Sequence, residues 1–99
     1  MQKKILISRI YENPEFDSDP RRKALENLGK FGKLSQHPME LTDEHADNVI
    51  AVLAGSPLVH ESFYKAAKDL RIIARWGVGF ETVNVDIATK YGVIVTVAP

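Results

Sequence analysis

Residues 49–53 read Val-Ile-Ala-Val-Leu, a run with no polar side chain on either face of an extended chain. A strand with one wet face alternates apolar and polar residues. One that is apolar throughout must be covered on both sides, which is the condition of a parallel sheet flanked by helices. Ile5-Leu6-Ile7, Arg71-Ile72-Ile73-Ala74 and Val93-Ile94-Val95-Thr96-Val97 read as further buried strands, and Lys33 through His37, closed by Pro38, as an edge strand. Helical signals lie between them. Asp19-Pro20 is a helix start with the carboxylate at the N-cap and proline at the first helical position. Ala24, Leu25, Leu28 and Phe31 follow at helical spacing, with Gly29 or Gly32 as the stop. Thr42 caps one short turn. Val59, Phe63, Ala66, Ala67 and Leu70 mark a helix with one apolar face. Asn84 caps the last helix, Asp86 favours its dipole, and Gly92 ends it.

This alternation predicts an α/β chain with a five-stranded parallel sheet, doubly wound because crossovers are right-handed. The flavodoxin-like order 2-1-3-4-5 is the common solution at this size, with the weak second strand at the edge. Ninety-nine residues make one domain, 1–99.

Composition removes several function classes. The chain carries 13 basic and 13 acidic residues, for a net charge of zero. That balance argues against the basic face nucleic acid requires and against a polybasic membrane surface. There is no cysteine, so disulfide and thiol chemistry are absent and a cytoplasmic location is expected. The apolar stretch after Lys3-Lys4 ends at Ser8-Arg9, too short for a signal core, and no run reaches the ~20 apolar residues of a membrane span.

In open α/β sheets, ligands gather at the carboxyl ends of the strands near the reversal of strand order. That rule singles out Ser8-Arg9, Ala54-Gly55-Ser56, and Arg75-Trp76-Gly77-Val78-Gly79-Phe80. Gly77 and Gly79 let the backbone approach a ligand without a Cβ in the way. Successive N–H groups in such a turn form an anion-binding concavity, and Arg75 adds a guanidinium suited to a carboxylate. The residues point to a small carboxylate or phosphate. A glycine pair between strand and helix is equally a plain turn, and Arg75 a surface or ion-paired side chain. Trp76 is either a pocket wall or a cover for apolar surface.

Gly77-Val78-Gly79 is not a dinucleotide fingerprint, because Thr82 stands where the third glycine belongs. His37, His45 and His60 have no metal-ligand spacing and read as solvent-exposed or capping side chains. Asp43, Glu44 and Asp47 read as a solvated acidic face, so no metal is expected. A phospho-accepting receiver would need acidic residues where Ser8-Arg9 and Gly55-Ser56 stand. A flavin-binding flavodoxin would need a Ser/Thr-Gly-rich loop where Arg9-Ile10-Tyr11-Glu12-Asn13 stands.

Two blocks carry a family resemblance. Leu70 through Asn84 resembles the segment of D-isomer-specific 2-hydroxyacid dehydrogenases that reads R-x-G-V-G-x-D-x-V-D, here Arg75-Trp76-Gly77-Val78-Gly79-Phe80-Glu81-Thr82-Val83-Asn84. Ala88 through Pro99 resembles that family's A-T-x-x-G-I-x-V-T-N-T-P, at the matching distance. The resemblance implies the substrate-binding lobe of a two-lobed, NAD- or NADP-dependent oxidoreductase that is phosphoglycerate dehydrogenase-like. It implies that backbone N–H groups of Val78 and Gly79 bind the carboxylate of a small 2-hydroxy or 2-keto acid. Arg75, Gly77 and the loop Gly55-Ser56 would face the same substrate. Glu81 and Asn84 depart from the usual aspartates. Ala54 lies about where phosphoglycerate dehydrogenases often hold an arginine, which weakens the case for a phosphorylated substrate.

The family's dinucleotide fingerprint and catalytic arginine, acid and histidine would fall beyond Pro99, where its chain crosses into the nucleotide lobe. This chain is therefore expected to hold no cofactor, to be inactive by itself, and to self-associate through surface the intact enzyme covers. The alternative is a stand-alone small-anion-binding or protein-interaction domain that keeps the lobe without the enzyme. A Gly-x-Gly-x-x-Gly in the reading frame after Pro99 would favour the enzyme.

Overall fold

Strands formed by the apolar runs and helices formed by the amphipathic ones build the computed structural model, which describes residues 2–8, 19–54, 57–76 and 84–98. In chain order the elements are β1 (Lys4–Ile7), α1 (Asp19–Leu28), β2 (Lys33–Gln36), β3 (Glu40–Leu41), a 3-10 turn (Asp43–His45), β4 (Val49–Ala54), β5 (Leu58–Val59), α2 (Glu61–Ala66), β6 (Ile72–Trp76), α3 (Val85–Lys90) and β7 (Ile94–Ala98). The main sheet has five strands in the order β2-β1-β4-β6-β7, every pair parallel. This is the predicted flavodoxin-like order. The order reverses between β1 and β4, because the chain leaves β1 toward β2 and later builds outward from β4.

Register fixes what each face carries. Leu6, Val52 and Ile73 share one face and pack with Phe63, Tyr64 and Ala67 around α2, with Ala88 of α3, and with Ala46 and Val49. Phe63, Leu41, Leu70, Ile73 and Val52 are fully buried there, and each such side chain contributes about 1.5–3 kcal/mol by leaving water. The opposite face buries Ile5 and Ile7 but leaves Ala51, Leu53, Ile72 and Ala74 half-buried, with Ile94 63% exposed. Of the α1 side chains described, only Leu25 and Leu28 are even half-buried. Ala24 is exposed, and Phe31, expected on the apolar face of that helix, lies beyond its end and is 71% exposed.

The helix expected across Val59–Leu70 is shorter, because Ala67 takes a non-helical backbone (φ −82°, ψ 74°). Leu70 then turns inward and the Arg71 N–H donates to the Ile50 carbonyl at 3.0 Å, which recruits the chain into the sheet. Val59 belongs to a small parallel pair, β3 with β5, that the sequence reading does not contain. Thr42 caps as expected: its hydroxyl accepts from the Glu44 N–H, and its own N–H donates to His45 Nδ1 at 3.1 Å. Asn84 Oδ1 accepts from the Ile87 N–H at 3.0 Å and starts α3. Gly92, at φ +74°, ends it. The Val93 N–H returns to the Ala88 carbonyl at 2.8 Å and the Gly92 N–H to Thr89 at 3.0 Å, the paired bonds of a Schellman stop. No described helix is long and apolar enough to cross a membrane.

Candidate functional site at the carboxyl edge of the sheet

Parallel register places one residue from each strand in a single rank across the carboxyl edge. Ala54 pairs with Arg75, and Arg75 with Val97. On the other side, Ile7 pairs with both Gln36 and Leu53. The ladder continues one step further, since the Ser8 N–H donates to the Leu53 carbonyl and the His37 N–H to the Ile7 carbonyl, each at 2.9 Å. The rank therefore reads His37, Ser8, Ala54, Arg75, Val97, and it spans the reversal in strand order where α/β sheets collect ligands.

Because side chains alternate along a strand, the members of this rank share the face of Leu6, Val52 and Ile73. Arg75 is half-buried there, with its Nε among the buried side-chain atoms. Ala54 beside it is fully buried; with only a methyl group it adds no bulk next to the cation. Ser8 and His37 are 7% and 6% exposed. His37 is thus neither solvent-exposed nor capping, as the sequence reading has it. His37 Nδ1 lies 2.9 Å from the Pro38 carbonyl oxygen. A carbonyl can only accept, so in this contact the ring nitrogen is the donor. His45 does cap its turn, whereas His60, at the N-cap of α2, makes no capping bond and lies 3.4 Å from Glu40.

Of the six residues expected to meet substrate, the described structure places Arg75. Gly55, Ser56, Gly77, Val78 and Gly79 lie outside the described residues, as does the side chain of Trp76. The strands that carry them are described: β4 delivers the chain to Gly55 and β6 delivers it to Gly77, side by side through the Ala54–Arg75 pair. The two expected loops thus leave the sheet from adjacent strands. Asp43, Glu44 and Asp47 are exposed, as an acidic solvated face should be. Among the described residues no three His, Asp or Glu side chains gather as a metal site.

Behind the edge, polar contacts tie α2 to α3. The Tyr91 hydroxyl donates to Glu61 at 2.9 Å and Lys90 Nζ approaches the same oxygen at 3.2 Å. The hydroxyl and the ammonium together hold the Glu61 carboxyl below the usual carboxylate range. Tyr91 stacks on Tyr64, with ring centroids 6.3 Å apart and planes 10° from parallel. Burial pushes the Tyr64 phenol up to about 12, and among the described residues its hydroxyl has no hydrogen-bond partner.

The family described as D-isomer specific 2-hydroxyacid dehydrogenase, catalytic domain, matches residues 11–99. No curated protein matches. Among solved structures, a glyoxylate reductase from Paecilomyes thermophila superposes with a TM-score of 0.69 at 21% identity. The match covers 99% of this chain and 32% of that one, so the chain spans about a third of the reductase's length. At that identity the likeness shows the shared fold.

Proposed function

Since the chain belongs to the D-isomer specific 2-hydroxyacid dehydrogenase family through its catalytic domain, we propose that it is the substrate-binding lobe of an NAD- or NADP-dependent oxidoreductase interconverting D-2-hydroxy acids and 2-keto acids. The observation that carries this reading is Arg75, half-buried at the carboxyl edge and one strand from the reversal in strand order. The guanidinium offers the bidentate fork a carboxylate needs. Backbone N–H groups of Val78 and Gly79, in the loop that follows β6, are assigned the same carboxylate. Gly77 allows their close approach, and Gly55 and Ser56 form the facing wall. Ala54 supplies no second cation beside Arg75, which favours a small unphosphorylated acid. The glyoxylate reductase, whose named substrate is such an acid, supports the same size class.

The nicotinamide cofactor does not fit this chain. Its one strand-to-helix glycine pair, Gly77 and Gly79, is followed by Thr82 instead of a third glycine, and that turn is committed to the substrate carboxylate. The 99 residues alone are thus proposed to bind acid without binding NADH and without turnover. Two titrations test this. Calorimetry with NADH should give no heat of binding; micromolar affinity would overturn the assignment of the cofactor to another part of the enzyme. Titration with pyruvate, followed by NMR line positions, should give weak saturable binding that Arg75→Gln weakens about ten-fold, the loss of one charge-assisted pair. Equal affinity in the two proteins would remove Arg75 from the site.

A further inference from the structure

The two loops assigned to substrate are followed by unequal anchors. Gly55-Ser56 leads at once into Pro57, which is fully buried, and Leu58, whose N–H donates to the Met39 carbonyl at 2.8 Å. The next element after Val78 and Gly79 is α3, capped by Asn84. That helix is six residues long and buries one of them, Ala88. A helix so short owes its place to what it packs against, and its own burial gives it little hold. Side-chain contacts to α2 supply the rest. The Tyr91 hydroxyl donates to Glu61 Oε2 at 2.9 Å, and Lys90 Nζ donates to the same oxygen at 3.2 Å. Lys90 Nζ also stands 5.4 Å from the centre of the Tyr91 ring. That ring stacks on the buried Tyr64, which meets the fully buried Phe63 edge-on, centroids 6.3 Å apart and planes at 71°. Glu61 opens α2 and Lys90 closes α3, so each charge lies at the helix end whose dipole favours it. The contacts therefore run unbroken from the core, through Phe63, Tyr64 and Tyr91, to the C-terminal end of α3.

We infer that Glu61 and Tyr91 are positioning residues for the proposed reaction. The bond between them fixes α3 on α2, and thereby sets where Val78 and Gly79 present their N–H groups. The inference rests on the assignment of the substrate carboxylate to those two residues. Neither Glu61 nor Tyr91 touches the acid; they act through α3. An anion site that is already in place binds more tightly than one the ligand must first order, so loosening α3 costs affinity even where the fold survives. The bond also works from both ends, since Glu61 holds the Tyr91 phenol and the Lys90 ammonium above their usual values.

Tyr91→Phe keeps the ring on Tyr64 and removes only the hydroxyl. Glu61→Gln keeps an acceptor for that hydroxyl and removes the charge that holds Lys90. Amide-resolved NMR of the 99-residue chain reads both variants, first without ligand and then in a pyruvate titration. Tyr91→Phe should move the Val78 and Gly79 amides and speed their exchange before any acid is added, with the Arg75 amide unmoved. It should then weaken pyruvate binding about three- to five-fold, and Glu61→Gln should do so less. Asp69→Asn is the control. It breaks another exposed ion pair, Lys3 to Asp69 at 2.9 Å, at the amino edge of the sheet, and should lower Tm while leaving both readouts alone. A merely structural role would give Tyr91→Phe the behaviour of that control, and this result overturns the inference, as do moved amides with unchanged pyruvate affinity. A parent chain that binds no pyruvate overturns the substrate reading instead. The ligand-free amides then still decide whether Glu61 and Tyr91 hold the turn, and unmoved amides refute it.

Discussion

Replacing Gly32 by alanine should pry β2 away from β1. A Cβ built on Gly32 would stand 2.9 Å from the Lys3 carbonyl oxygen, 3.2 Å from its carbon and 3.4 Å from Ile5 Cγ1. The obstacle is backbone, and it is held in place: the Lys33 N–H donates to that same Lys3 oxygen at 2.8 Å. Ordinary contact therefore requires the first rung between β1 and β2 to open by roughly half an ångström, and overpacking of this kind costs about 1–3 kcal/mol. Alanine recovers about 0.4–1 kcal/mol by restricting the unfolded chain, which leaves a net loss of about 1–2 kcal/mol. In a domain this size Tm should fall by about 4–16 °C. Gly92→Ala is the control. Nothing lies within 4 Å of a Cβ there, and its φ of +74° makes the cost purely conformational, about 1–2 kcal/mol. Gly92→Asn should restore most of that, since asparagine tolerates the left-handed region, whereas no side chain rescues Gly32. Thermal melts of the three variants, with amide exchange at Lys33, separate the two causes. A Gly32→Ala protein that melts with the parent and keeps Lys33 protected would refute the reasoning.

Three further outcomes follow from named contacts. Tyr64 carries a phenol pushed up to about 12 by burial, so the folded state holds its proton more tightly than the unfolded one. Its contribution is fully present below the usual phenol value of about 10 and declines between pH 10 and 12 at up to ~1.4 kcal/mol per unit. Urea midpoints across that range should fall more steeply for the parent than for Tyr64→Phe, and parallel curves would count against the burial. Asn84→Ala removes the acceptor for the Ile87 N–H and should cost about 1 kcal/mol, read as a lower Tm with increased fraying of α3 in amide exchange. Phe63→Ala empties the centre of the core, where that ring is fully buried. A loss of about 3–5 kcal/mol, a large share of a total of about 5–15, should lower Tm by more than about 10 °C by circular dichroism.

What the sequence discloses depends on the length of the signal each element leaves. The run 49–53 is apolar on both faces, with Val52 fully buried on one and Ala51 and Leu53 half-buried on the other, and this alone points to a parallel sheet. Caps are equally legible, since Thr42, Asn84 and Gly92 each act within four residues of themselves. Tertiary decisions leave no such trace. β3 and β5 are two residues long, too short for any periodicity, so Val59 is read into the helix that follows. Ala67 and Leu70 are apolar because they plug the core, and they mimic a longer α2. His37 extends the weakest strand, and its burial depends on β1 lying alongside, which no local pattern encodes. Arg75 is found because it ends a strongly apolar strand just before a glycine pair, where backbone chemistry and the rule for strand ends agree. Gly55, Ser56, Gly77, Val78 and Gly79 rest on that local chemistry and on the family pattern, with Arg75 the residue whose position the sheet itself supplies.

The central claim is that the carboxyl edge between β4 and β6 binds a small 2-keto acid through its carboxylate. The most direct test is an amide-resolved NMR titration of the 99-residue chain with pyruvate, with acetamide as an uncharged control. The account predicts saturable shifts concentrated at Val78, Gly79 and Arg75, with Gly55 and Ser56 following, and none with acetamide. Shifts confined to other surfaces, or absent at saturating pyruvate while the chain remains folded, would contradict it.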